Sequence, residues 1–391
     1  MVEIVTSAPG KIILCGEHAV VYGKEALAFS LSTTTQCCLK ENMNNPSQIR
    51  IKVPDLQIDE TYNGEDLEKA YGDSLQKGSG DVQTCQLFEN EEDIYERLLS
   101  PEIDGTKKAA LKLILVLYMH LAHSQTTPRK IGLCISFKSD LPIGAGLGSS
   151  ASFAVATVSA MLVYTGVLPS NQSDWTEKDY EVINGWAYQS ERIVHGTPSG
   201  IDNSISTYGQ CVSFKSKKIE RLKNFSELNL KVVLINTKKS RSTKALVTGV
   251  RQRNDKYPKI YPHIMDTIEQ VTEKFKHNLM ELSSDNAKER DEIYQNIEEL
   301  IDINQSLLDS IGVGHSSITD IVSICKTHNL HAKLTGAGGG GCLFALVPPS
   351  YPENDLKVLV DNMNNDSPYE AWVSYLGGDG VKLQSYETKR L

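Results

Sequence analysis

Residues 131–164 narrow the possible folds more than any other stretch, because a strand, a glycine-rich bend and a buried helix follow one another directly. Ile131, Leu133, Ile135 and Phe137 alternate with other residues, the period of a half-buried strand. Ala151 to Tyr164 is rich in Ala, Val, Met and Leu without Pro or Gly, which predicts a buried helix. Between them runs Leu141-Pro-Ile-Gly-Ala-Gly-Leu-Gly-Ser-Ser-Ala-Ser152. A bend of this kind gathers backbone N–H groups that the helix cannot use itself, and the helix dipole adds positive potential. The segment therefore suits a phosphate chain. Gly144, Gly146 and Gly148 let backbone approach a ligand with no Cβ between, and Ser149 and Ser150 put hydroxyls where a phosphate-bound Mg²⁺ would lie. The bend is not a Walker A loop, since no Gly-Lys-Ser/Thr closes it. It misses the Rossmann fingerprint as well, since its third glycine comes one residue early. A purely structural turn would look much the same, so other segments must decide.

At 391 residues the chain is long enough for two domains. Its net charge of −9 argues against a nucleic-acid surface, and an anionic ligand must be drawn by local lysines, backbone N–H groups and a metal. The eight cysteines show no CxxC pair or zinc spacing, which is cytoplasmic usage. Glu3 and an early Pro9-Gly10 argue against a signal-peptide core. Ala109 to Ala122 is too short to span a bilayer and is broken by Lys112 and His120, so no membrane association is expected. Lys389-Arg390-Leu391 only faintly resembles a peroxisomal tail, because Lys389 stands where a small residue belongs.

Short strands are expected at Ile4-Val5, Lys11–Cys15, Ala19–Tyr22 and Ala26–Ser30, with turns at Gly16 and Gly23-Lys24. Apart from a strand at Gln48–Val53, residues 41–105 read as a polar, irregular insertion, with Gly78-Ser-Gly and Glu89–Asp93 as examples. Helices are expected at 106–122, 150–164 and 176–194. A strand at Lys231–Asn236 opens a second half with helical patterns over 243–279 and 286–310, then strands at Gly341–Val347 and Ala371–Tyr375.

Three more segments bear on chemistry. In Ser7-Ala-Pro-Gly-Lys11, a turn at Pro9-Gly10 would present Lys11 as a movable point charge for a phosphoryl oxygen; a solvated surface lysine would look no different. Ile183, Trp186, Ala187, Ser190 and Val194 form a core-facing stripe, and Glu191 at its edge would be half-buried and in want of a cation, Mg²⁺ or a basic side chain. Gly196-Thr-Pro-Ser-Gly200 then ends the helix and delivers Asp202 into a loop, where an aspartate can also be only a turn-former. The four consecutive glycines of Lys333-Leu-Thr-Gly-Ala-Gly-Gly-Gly-Gly-Cys342 sacrifice chain entropy and suggest backbone pressed against a ligand or the first domain.

Together, Pro9-Gly-Lys11 with Gly16-Glu-His-Ala-Val-Val-Tyr-Gly23, Pro142–Ser150 and Lys333–Cys342 resemble the three motifs of the GHMP small-molecule kinases. Gly16–Gly23, His195–Asn203, Asn236–Thr243 and Gly249-Val-Arg251 resemble in particular the animal branch that acts on mevalonate. The resemblance runs from residue 2 to about 345 and is weak only over 41–105. It implies an α+β fold of two α/β domains. Residues 1–230 would form a ribosomal-S5-like domain and residues 231–391 a ferredoxin-like domain with added helices, the active site lying between. It implies ATP and Mg²⁺ as cofactors and mevalonate as the acceptor, in a homodimer. Asp202 would take the proton of the substrate hydroxyl, and Lys11 would polarise that hydroxyl and steady the phosphoryl group. Ser150 and Glu191 would hold Mg²⁺. Gly144, Ala145, Gly146, Leu147, Gly148, Ser149 and Ser150 would wrap the ATP phosphates, with Gly338 and Gly339 closing on them and Ser139 and Asp55 near the nucleotide. Glu17, His18 and Thr243 would fall near mevalonate. Asp55 stands where animal relatives usually carry Asn, and Phe153 replaces a Tyr that is common in relatives. A galactokinase is disfavoured by Ala19-Val-Val-Tyr22, and a catalytically dead nucleotide sensor by the presence of both Lys11 and Asp202.

Overall fold

The computed structural model describes residues 1–71, 102–123, 132–195, 198–222, 228–282 and 287–388, with Val82, Cys85, Leu98, Leu99 and Phe225. Ile131, Gly78–Gly80, Glu89–Asp93, Gly196-Thr197 and Lys389–Leu391 lie outside the described residues. The first half begins with β1 (Val2–Cys15), β2 (Ala26–Asn42), β3 (Gln48–Val53), β4 (Ile58–Asn63) and α1 (Gly64–Tyr71). It continues with α2 (Gly105–His123), β5 (Gly132–Ser139), α3 (Ser149–Tyr164), α4 (Glu177–His195), α5 (Ile201–Tyr208), β6 (Cys211–Lys215) and β7 (Lys218–Leu222). The second half opens with β8 (Leu230–Asn236), α6 (Thr243–Lys256), α7 (Tyr261–Glu281), α8 (Ala287–Ser310) and α9 (Ser316–Thr327). It ends with β9 (Ala332–Leu334), β10 (Cys342–Val347), α10 (Glu353–Asn365), β11 (Glu370–Leu376) and β12 (Lys382–Thr388).

β2 is the hub of the sheet. One edge pairs antiparallel with β1 from Glu3 opposite Lys40 to Cys15 opposite Leu27. Its other edge takes β6 near its start, β11 at Leu31 and β5 along its far half. No turn occurs at Pro9-Gly10; the strand runs on and absorbs the irregularity as a bulge between Pro9 and Lys11. Glycine suits that position, since a Cβ on Gly10 would lie 2.8 Å from the backbone oxygen of Leu147. Ala19–Tyr22 is a 3-10 turn rather than a strand, closed by Gly23 at φ +80°. The insertion is more regular than its polarity suggests, because β4 pairs with β3 and β3 runs parallel to β5.

α3 is apolar all round because it lies in the middle of the first core, against β1 and β2 and between α2 and α4. In the second half β8 lies between β10 and β11, with β9 outside β10. The helical pattern over 243–279 divides into α6 and α7, because Pro258 lacks an N–H and pushes Tyr257 to φ −125°, ψ 63°. α7 is tied to the first half by ion pairs of Glu269 with Lys24 (3.0 Å) and Lys215 (2.9 Å), and of Lys276 with Glu25 (3.0 Å). α9, α10 and β12 carry no signal read from the sequence. β12 returns to the first half, placing Thr388 opposite Val2.

A buried ion pair fastens the halves. Lys333 Nζ donates to Glu17 Oε1, and both side chains are 0% exposed. The ammonium also donates to Leu334 O (2.8 Å) and lies 5.2 Å from the Phe344 ring centroid, while Asn304 Nδ2 donates to Glu17 Oε2 (3.2 Å). Beside it, Thr335 Oγ1 accepts from Ile13 N (3.1 Å) and donates to Ile13 O (2.9 Å). Breaking a buried pair strands the remaining charge, so Lys333→Met is expected to cost about 3–5 kcal/mol. Adding Glu17→Gln should recover much of the loss. Urea unfolding of the two variants checks this, and equal losses in both would remove the pair from its role.

Candidate active site

Lys11 follows the β1 bulge and is nearly buried (6% exposed). Its N–H donates to Leu147 O (2.8 Å), and its stem runs beneath Gly148, where a Cβ would lie 2.7 Å from Lys11 Cγ. Gly148 has φ +73°, so both space and backbone require glycine. Lys11 Nζ lies 3.3 Å from Asp202 Oδ1. Asp202 is not in a loop; it occupies the first turn of α5, entered through Gly200 at φ +84°. Ile201 and Ile205 anchor that helix against Ala28, Val212 and Phe214. Ser206, one turn after Asp202, donates to Pro9 O (2.8 Å). Residues four apart share a helix face, so one face of α5 both grips β1 and aims the carboxylate at Lys11. The Asp202 side chain is 39% exposed, open to a ligand.

α3 starts at the end of the glycine-rich bend, and its first-turn N–H groups have no partner within the helix. Ser150 Oγ donates to Glu191 Oε1 (2.6 Å). Glu191 is buried rather than half-buried, beside Ala187 and Ser190 on the inner face of α4. Next to them a cavity of about 480 Å³ is lined by Asp55, Ser139, Gly144, Ser149 and Ser150, with Val53, Leu56, Phe137 and Phe153. Ser139 Oγ shares a hydrogen bond with Thr35 Oγ1 (2.8 Å), and Phe153 stacks on Phe137 at 4.1 Å between centroids. Ala145 and Leu147 differ from their neighbours in having side chains in the core. Val53, Leu56 and Phe137 were not singled out in the sequence; the strand alternation at Phe137 marks it only as core.

The second glycine-rich segment faces this region from the other half. His18, at φ +59°, places Nε2 2.9 Å from Ala337 O, next to Gly338. A carbonyl can only accept, so Nε2 carries the proton and Nδ1 is an acceptor, buried with no hydrogen-bond partner among the described residues. Glu17 points away into the Lys333 pair. Gly338 (φ +76°) and Gly339 (φ +67°) pack on protein, since a Cβ on Gly338 would lie 2.3 Å from Val313 O and Gly339 N donates to that same oxygen (2.8 Å). Thr243 is exposed at the start of α6, after the N-cap Ser242. Arg241, unassigned in the sequence, lies between the two glycine-rich segments.

Residues 110–210 match the family model described as GHMP kinases N terminal domain, and residues 277–365 that described as GHMP kinases C terminal. The chain is 34% identical to the mevalonate kinase of Mus musculus over 98% of its length and 95% of that protein's. It is 30% identical to the mevalonate kinase of Arabidopsis thaliana over 97% and 99%. Among solved structures, L. major mevalonate kinase in complex with R-mevalonate superposes with TM-score 0.69 at 23% identity, over 96% of each chain. Lactococcus lactis galactokinase complexed with galactose gives 0.62 at 16%, over 97% of this chain and 95% of that one, so the fold alone does not choose the acceptor.

Burial holds the His18 imidazole below its usual pKa, favouring the neutral ring. Above about pH 6.5 both folded and unfolded chains keep it neutral. Below that value the unfolded chain takes up a proton that the fold resists, so stability falls as pH drops. The melting temperature should therefore decline between pH 7.5 and 5.5, less steeply in His18→Gln. Parallel profiles for the two proteins would contradict this.

Proposed function

The chain belongs to the mevalonate kinases of the GHMP kinase family, and we propose that Lys11, Asp202, Ser150 and Glu191 carry its chemistry. The enzyme phosphorylates mevalonate to 5-phosphomevalonate with ATP and releases ADP, a step in isoprenoid biosynthesis. The observation that carries the residue assignment is the 3.3 Å Lys11–Asp202 pair beside the start of α3.

Phosphoryl transfer needs positioning and charge stabilisation more than covalent help. In this reading the ATP phosphates lie over the first turn of α3 and the bend Gly144–Ser150, within reach of backbone N–H groups. The nucleoside occupies the adjoining cavity, its base against Phe137, Phe153 and Leu56, and Asp55 and Ser139 at the rim accept or exchange hydrogen bonds. Asp55 has no N–H to donate where an asparagine would. Asp202 accepts the proton of the mevalonate hydroxyl as that oxygen attacks the γ-phosphorus and ADP leaves. Lys11 orients the hydroxyl and follows the developing charge on the transferring oxygens. His18 and Thr243 flank the acceptor, with Glu17 acting beneath His18 rather than on the substrate.

Ser150 and Glu191 offer hard oxygen donors 2.6 Å apart, suited to Mg²⁺ held by one carboxylate with phosphates and water completing its shell. That ion would neutralise charge on the phosphates. All eight cysteines are thiols, which supports a cytoplasmic setting, and a two-fold dimer is the proposed assembly.

ADP release should follow addition of mevalonate and not galactose, homoserine or phosphomevalonate. Asp202→Asn should lower turnover at least about 100-fold while ATP still binds, and near-normal turnover would overturn the base assignment. Glu191→Gln should raise the Mg²⁺ needed for half-maximal rate, because an amide is a weaker ligand for a hard cation. An unchanged Mg²⁺ titration would leave Glu191 a structural residue.

A further inference from the structure

Arg241 reaches both glycine-rich segments at once. Its Nη2 donates to Ala145 O (3.2 Å) in the bend before α3. Its Nη1 is shared among the carbonyls of Gly338 (3.3 Å), Gly340 (3.3 Å) and Thr335 (3.5 Å) in the segment before β10. Among the described residues these carbonyls are its hydrogen-bond partners, and no carboxylate pairs with it. A planar guanidinium with N–H groups along two edges can serve two segments in this way, whereas an ammonium is a single point.

The glycines on either side are shaped to this side chain. A Cβ on Gly146 would lie 1.8 Å from Arg241 Nη2, and one on Gly341 would lie 2.4 Å from Cζ. Their lack of a side chain, which suggests ligand approach when read from sequence, makes room for the guanidinium. Both also have positive φ, +84° and +71°.

The contact has a consequence for the N–H groups of the bend. In a trans peptide the C=O and N–H point in opposite directions. Drawing Ala145 O onto Arg241 turns Gly146 N–H the other way, just as drawing Leu147 O onto Lys11 N turns Gly148 N–H. These two donors are thereby turned away from Arg241 and from the Lys11 backbone.

We propose that Arg241 is a positioning residue that braces the bend Gly144–Gly148 against the segment Gly336–Gly341, so that both meet ATP as one preorganised unit. This rests on reading the bend as the phosphate site. The decisive measurement is therefore first made without substrate. Hydrogen exchange in Arg241→Met should rise in both segments together, while α3, α9 and β10 stay protected. A rise confined to the neighbourhood of residue 241, or unfolding spread over the second half, would overturn the brace.

Kinetics then ask whether the brace matters for ATP. Arg241→Met should raise KM for ATP about tenfold, and Arg241→Lys, which can reach one segment but not grip both, should recover only part. A KM effect on mevalonate alone would make Arg241 a direct substrate contact and overturn the proposal. Should Arg241→Met fail to fold, Arg241→Lys carries both measurements. Finally, Gly146→Ala should cost less in the Arg241→Met background than in the parent enzyme, because the atom it strikes has gone. Additive effects would count against the brace. If both segments loosen together while ATP use is untouched, the brace stands and the phosphate assignment of the bend fails.

Discussion

The site depends on the buried contact between Lys333 and Glu17. Lys11 comes from the middle of β1 and His18 from just beyond its end, while Ala337 and the glycines that follow belong to the other half. An ammonium and a carboxylate withdrawn from water satisfy each other only at close range, so the pair tolerates little sliding between the halves. Two hydrogen bonds between Ile13 and Thr335 fix the register beside it. Burial among these groups pushes the Cys15 thiol up to about 12, so the sulfur there packs and does not react. His18 keeps a strained left-handed backbone because Glu17 is held below it and Ala337 above.

Around this fixed point, helices hold Asp202, Ser150 and Glu191, and strand β1 holds Lys11. α5 turns Asp202 toward Lys11 while Ser206 grips β1. α3 and α4 bring Ser150 and Glu191 together from their inner faces. Side chains on packed helices lose little freedom when a ligand arrives, an advantage wherever a barrier is lowered chiefly by position and charge.

The sequence is most informative where a backbone requirement leaves its mark on composition. Gly144–Gly148 and Gly338–Gly341 stand out because glycine has few substitutes at positive φ, and the apolar run of α3 because a helix buried all round has no polar face. Partnership across long separations leaves no such mark. Glu17 and Lys333 are 316 residues apart, and nothing near either names the other. Arg241 stands in a recognisable segment, yet its role depends on carbonyls 94 to 99 residues away in either direction. α5 was obscured by its short length and preceding glycine, and the 3-10 turn at Ala19–Tyr22 by β-branched residues that normally favour strands. β4 was hidden by its polar face, since an edge strand needs few apolar residues.

The pairing of β12 with β1 bears on how the protein is made. A ribosome delivers β1 long before β12, so the edge of Val2–Ser7 that β12 will cover waits while the elements between them are made. During that interval β1 presents open backbone N–H and C=O groups, the surface on which mispairing and aggregation begin. β2 can cover the other edge early, but the edge meant for β12 cannot be closed by anything made nearby. Folding of the first half is therefore tied to completion of the second, with the high contact order and slow final step that such closure brings. A nascent chain of this enzyme has reason to be a chaperone client until β12 emerges.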